Sequence, residues 1–202
     1  MQLNSDYLFL VLSGIATFLS YFIYFRSVVK GDTKPHIVSW FIWGLISFII
    51  FTIQIYDNAG IGAFNIGFVA FLCFFIAFIS FKKGNRKISK GDSFSLIFGI
   101  LSIILWIFSD NPFLSVLLLI LVDIFGFLPT ILKSIQKPFE ETETAYFLAG
   151  TGYFLSIFAM NNISFLTIGF VVVSCFLNFV LAFIIFYRKR ILKNTFVLKK
   201  ST

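Results

Sequence analysis

Charge is what this chain has least of. Only 12% of its 202 residues are Asp, Glu, Lys or Arg, against about 25% in a soluble domain. With 59% hydrophobic residues and a mean hydropathy of +0.98, no soluble fold could hide so much apolar surface. The sequence reads as an all-α integral membrane protein. Histidine occurs once, at His36, and cysteine twice, at Cys73 and Cys175, both inside apolar runs. No CxxC or metal-ligand spacing exists, so neither a zinc site nor a disulfide framework is expected, and no metal or other cofactor is assigned. An intramembrane enzyme ranks last among the functions, because no nucleophile is paired with a base and no second carboxylate joins Asp123 inside a span. No Lys or Arg precedes the first apolar run, so that run is expected to be a permanent helix rather than a cleaved signal.

What the chain does have is long apolar runs. They fall at 7–25, 37–56, 60–81, 93–109, 113–132, 144–160 and 163–187, and the breaks between them carry charges, Pro, Asn or Gly. A spanning helix needs about 20 residues, so seven spans use most of the chain and leave no room for a soluble catalytic domain. The basic residues test the count. With seven spans, all 16 Lys and Arg fall on one side: in the loops after spans one, three and five, and in the C-terminal tail. An error of one span would scatter them over both faces. The positive-inside rule then puts the N-terminus outside and the C-terminus in the cytoplasm, most simply at the plasma membrane.

The net charge of +7 is thereby explained as a cytoplasmic rim facing anionic lipid headgroups, with no nucleic-acid partner required. Trp40 and Trp43, at the cytoplasmic start of span two, suit an interfacial aromatic belt.

The chain also repeats itself. Ile66-Gly67-Phe68-Val69 recurs as Ile168-Gly169-Phe170-Val171, and the spacing continues to Cys73-Phe74 and Cys175-Phe176. Trp40 to Gly44 faces Tyr146 to Gly150 at an offset of 106, and Arg26-Ser27 with Lys30 faces Lys133-Ser134 with Lys137. Three spans cross the membrane an odd number of times, so a second copy keeps the first one's orientation only if a linker span intervenes. Residues 93–109 stand where that linker belongs. The expected organisation is a triple-helix repeat over 1–88, a linker helix over 89–111, a second triple-helix repeat over 112–190 and a basic tail over 191–202. Such a 3+1+3 plan has a pseudo-two-fold axis along the membrane normal, a symmetry typical of secondary transporters, whose sites lie between the repeats.

The 3+1+3 plan, the N-out orientation and the segment Gly126-Phe-Leu-Pro-Thr-Ile-Leu-Lys-Ser134 resemble the PQ-loop superfamily, especially the SWEET sugar facilitators. Pro129-Thr130 stands where that family has its Pro-Gln or Pro-Thr pair in the second unit. The equivalent first-unit positions are Phe22 and Ile23, so the pair is missing there. Asn65 matches the family's asparagine in the third helix of the first unit, and its partner in the second is Thr167. The resemblance implies alternating access and a small polar cargo such as a sugar.

Five kinds of residue are candidates for function. Asp123 is the only carboxylate inside a span, and a charge there costs about 2.5–3.5 kcal/mol on insertion scales. It reads either as a proton-coupling or substrate-binding group on a watery path, or as a protonated helix–helix tie. Pro129 with Thr130 reads as a hinge or as a static bend. Asn65 and Thr167 are the favoured substrate contacts, and the equivalent pair Phe48 and Phe154 could stack on a flat ligand. Asn178, Ser174, Gln54 and the two cysteines are expected to tie helices together.

Two functions follow. The first is a carrier, passive or proton-coupled, that moves a small polar metabolite by rocking the two units. The alternative is a non-transporting receptor or interaction protein on the same scaffold, since a fold does not fix a function. Two fused units remove the need for a homo-oligomer without forbidding one.

Overall fold

A computed structural model describes residues 2–33, 35, 37–83, 93–94, 97–98, 100–101, 104–105, 108 and 111–200. Its long elements are all helices: α1 (Gln2–Lys30), α2 (Ile37–Tyr56), α3 (Ala63–Lys83), α4 (Pro112–Gln136), α5 (Glu143–Ile157) and α6 (Phe165–Lys200). Single 3-10 turns occupy Gly60–Gly62 and Pro138–Glu140. The linker span expected at 93–109 and the basic loop before it lie mostly outside the described residues, and those described between 93 and 108 are helical.

The helix ends follow local chemistry. Asn111 caps α4, its side chain accepting from the Leu114 N–H at 3.3 Å, and Pro112 follows at the first helical position, where a missing N–H costs nothing. At the end of α1, Gly31 takes a φ of 85° while the Asp32 N–H reaches back to the Ser27 carbonyl at 3.0 Å. The tail is not a separate element. Arg188 to Lys200 holds no Gly or Pro, and its Lys- and Arg-rich sequence continues α6 as helix.

Among the described residues, five segments are long and apolar enough to cross a membrane: Ser5–Lys30, Ser39–Tyr56, Gly60–Phe81, Pro112–Gln136 and Phe165–Asn194. Their surfaces match that solvent. Phe71 and Phe78 on α3, like Phe176 and Phe183 on α6, are two turns apart on one face, and each is at least 65% exposed. In water such faces would be a patch demanding a partner. The protein is a multi-pass membrane protein.

The sixth expected span departs from this pattern. α5 has 15 residues, a length of about 22 Å at 1.5 Å per residue, where the hydrocarbon core is about 30 Å thick. The rest of 144–160 is a turn, in which Ala159 and Met160 are buried, Phe158 is half exposed, and the following Asn161 N–H donates to the Ala59 carbonyl at 2.9 Å. Irregular backbone survives at such a depth because protein groups, not lipid, meet its polar atoms.

Within the first three helices, α3 packs on both α1 and α2; within the last three, α6 packs on both α4 and α5. The two sets meet chiefly along α1 and α5, and less extensively along α2 and α4. Gly44 of α2 lies under the Phe74 ring, and Gly150 of α5 under the Phe179 ring, so close that an added Cβ would sit 2.9 and 3.0 Å from ring carbons. The two glycines are equivalent by the repeat, but Phe74 pairs by sequence with Phe176. In space its counterpart lies one helical turn further on, at Phe179, and Phe176 turns outward. Packing thus keeps the order of the repeat and shifts its register in the third helix.

Candidate functional site

A cavity of about 50 Å³ lies between the two sets of helices, with room for a few waters. It is lined from α1 by Ser20, Tyr21 and Tyr24, and from α2 by Trp40, Trp43 and Ser47. Cys73 of α3, Asp123 and Phe127 of α4, Ala145, Tyr146, Ala149 and Tyr153 of α5, and Phe170, Ser174 and Asn178 of α6 also line it. Three of the four α5 contributions correspond to the three from α2. Trp40, Trp43 and Ser47 stand 106 positions before Tyr146, Ala149 and Tyr153, the same offset that aligns the two helices in sequence.

The tryptophans expected in a lipid-facing belt therefore turn inward. Trp40 is buried, packed edge-on against Tyr21 and Trp43 and tilted against Tyr24, with ring centroids 5.7, 5.3 and 4.7 Å apart. Trp43 continues the aromatic wall to Phe127 at 5.3 Å. Its indole N–H is buried without a hydrogen-bond partner among the described residues, and it abuts Gly126, whose Cβ position lies 3.1 Å away. The spacing 40, 43, 47 was the available signal: those positions share one helix face, and their counterparts repeat it.

Asp123 is 3% exposed, and Ser174 Oγ donates to its Oδ2 at 2.7 Å across the α4–α6 contact. Asn178 donates to the Ser174 carbonyl at 2.8 Å, one turn along the same helix. The hydroxyl of Tyr21 and the thiol of Cys73 meet at 3.0 Å, and Ser20 donates to the Ala145 carbonyl at 2.7 Å. Tyr153 and Ser47 interact with each other. The polar lining is thus mostly engaged within the protein. Among the described residues, no Lys, Arg or His lines the cavity, and Asp123 is its one carboxylate.

The other sequence candidates lie elsewhere. Asn65 is buried where α1, α3 and α5 converge: it accepts from Thr17 Oγ1 at 3.0 Å and donates to the Gly152 carbonyl at 3.4 Å. Thr167 caps α6 with Ser164. The Ser164 N–H donates to Thr167 Oγ1 at 2.9 Å, while Ser164 Oγ accepts from the Thr167 N–H at 3.3 Å, a reciprocal pairing like a capping box. Phe48 and Phe154, each one position past a cavity residue, are about half exposed on the opposite face. Neither pair lines the cavity. α4 runs as unbroken helix through Pro129 and Thr130, and Phe127 and Gly126 on the preceding turn reach the cavity wall.

Two polar clusters flank this centre. At the loop end, Asn162 Nδ2 donates to the Asp57 carbonyl at 2.8 Å, Ser164 Oγ donates to the Asp57 carboxylate, and Gln54 Nε2 donates to the Thr167 carbonyl at 2.6 Å. Gly60, with φ of 71°, lies against Asn161, where a side chain would collide. These contacts lace the 57–62 turn to the 158–164 turn. At the basic end, Glu141 is buried between Lys133 Nζ at 2.8 Å and the Tyr146 hydroxyl at 3.1 Å, and Lys189 donates to its carbonyl oxygen at 2.8 Å. Burial pushes the Glu141 carboxyl above its ordinary range, with Lys133, Tyr146 and Lys189 pulling the other way. Sequence reading missed this cluster because Glu140, Glu141 and Glu143 look alike in a short loop, and only the fold selects one to bury.

Comparison with protein-family models, with curated proteins and with solved structures finds no match to this chain.

Proposed function

We propose that the chain is a carrier of a small polar metabolite, working by alternating access at the cavity between two parallel triple-helix units joined by a linker helix. The supporting observation is the paired lining. Trp40, Trp43 and Ser47 meet Tyr146, Ala149 and Tyr153 across one cavity at a single sequence offset. Two facing walls drawn from equivalent positions of α2 and α5 suit a carrier in which each unit opens the site in turn. The packing of α3 and α6, each between the other two helices of its set, supports the two-unit reading, as does the resemblance to PQ-loop proteins.

In this reading the laced turns at 57–62 and 158–164 are the closed outer gate, and the ring formed by Tyr24, Trp40 and Tyr146 narrows the inner side. Asp123 is the group through which a proton would be coupled. Among the described residues, the titratable groups sharing its cavity are Tyr21, Tyr24, Tyr146, Tyr153 and Cys73, with no cation.

The second reading, a receptor that binds without transporting, draws on the engagement of most lining polar groups with one another. The test is uptake of labelled sugars, amino acids, amines and vitamins into liposomes containing the protein, at matched and stepped pH. Saturable entry of one compound supports the carrier. No entry across the panel, with the protein folded and inserted, moves the receptor ahead.

A further inference from the structure

We infer that the cavity is a site for a small organic cation carrying a hydrogen-bond acceptor, held by the Asp123 carboxylate and the aromatic wall of Tyr21, Tyr24, Trp40 and Trp43. The inference builds on the carrier reading by naming the cargo class of the same site.

Charge decides first. Asp123 is 3% exposed inside a membrane bundle, and no Lys, Arg or His stands among the described residues lining its cavity, so its ionised form has no cationic side chain there as a partner. Ser174 supplies one hydrogen bond to Oδ2 and no positive charge. An anionic ligand would be repelled, whereas a cation would supply the missing partner.

Ring geometry decides second. Trp40 and Trp43 stand at 90° to each other with centroids 5.3 Å apart, and Tyr21 and Tyr24 flank Trp40. Ring faces and edges meeting at right angles form two walls of a corner, and ring faces attract ammonium groups, tryptophan most of all.

Hydrogen bonding decides third, against a polyol. A sugar needs several free donors and acceptors, yet Ser20, Tyr21, Cys73, Ser174 and Asn178 already bond within the protein. Among the described residues, the Trp43 indole N–H is a buried donor of the lining left without a partner. It calls for one acceptor on the ligand, such as a hydroxyl or carbonyl oxygen.

The test compares choline with 3,3-dimethylbutan-1-ol, its neutral carbon isostere, on the wild-type protein by calorimetry and by tryptophan fluorescence. The expected result is saturable choline binding at least about tenfold tighter than the isostere, a gap that charge recognition at a desolvated site readily supplies. Asp123→Asn should abolish that gap. Because the wild-type comparison needs no variant, it stands even where Asp123→Asn fails to fold. Equal binding of the two compounds, or no choline binding at millimolar concentration, overturns the inference. A transport arm separates it from the carrier reading. Choline that binds but is not carried removes the carrier and leaves the cation site. A neutral solute carried without competition from choline keeps the carrier and removes the cation site.

Discussion

Ser174 Oγ donates a 2.7 Å hydrogen bond to Asp123 Oδ2, joining α6 to α4 at the wall of the central cavity. It is the one hydrogen bond from a neighbouring side chain that fixes this carboxylate among the described contacts. Replacing Ser174 by Ala should leave the helices packed but release the carboxylate from its orientation. A hydrogen bond to a charged group is worth about 1.5–3 kcal/mol. Ligand affinity should therefore fall by about tenfold or more, with a smaller change in thermal stability. An unchanged affinity in titration calorimetry would show that Asp123 does not contact the ligand.

Gly152 marks the closest approach of α1 and α5. A Cβ there would collide with Thr17 Oγ1 and crowd the α1 backbone at Ser13. Gly152→Ala should destabilise by about 1–3 kcal/mol, the usual cost of overpacking a tight contact. Adding Thr17→Ala should recover part of the loss, because the worst collision disappears while the backbone contact remains. Strict additivity of the two changes in a thermal-unfolding cycle would contradict this geometry.

The buried Glu141 predicts a pH effect whose sign can be worked out. A carboxyl raised in the folded protein binds its proton more tightly there than in the unfolded chain. Its contribution to stability is present below the ordinary glutamate range and is lost as pH rises through the raised value. The melting temperature of wild type relative to Glu141→Gln should accordingly fall as pH rises from about 4 upward. A flat or rising difference would mean that the ion pair with Lys133 outweighs burial.

The fold and the site were legible to different depths. Among the described residues, five of the apolar runs are matched by helices long and apolar enough to cross a membrane, because a bilayer imposes its thickness on composition directly. α5 was harder, since residues 158–160 are as apolar as a helix but form a turn, with Ala159 and Met160 buried in protein and Phe158 half exposed. Asp123 stood out for the cost of a carboxylate in a span. Asn65 and Thr167 were drawn from a family position, and one ties helices while the other caps α6, roles set by neighbours that no spacing reveals. Phe48 and Phe154 are paired with each other by the repeat, yet a single-residue step separates them from Ser47 and Tyr153, and about 100° of helical rotation turns them away. The tryptophans show the reverse: their spacing pointed to one helix face without saying whether lipid or cavity lay beyond it.

The central claim is alternating access at the cavity, and the laced turns offer a direct way to stop it. Asp57→Cys with Ser164→Cys places a thiol pair where the Ser164 hydroxyl meets the Asp57 carboxylate, while the native Cys73 and Cys175 are buried. The measurement is liposome uptake by this double variant, oxidised and then reduced, beside the wild type. The account predicts saturable uptake by wild type and by the reduced variant, arrest on oxidation, and recovery on reduction. Uptake that continues with the disulfide formed, or no uptake by wild type of any compound tried, would contradict it.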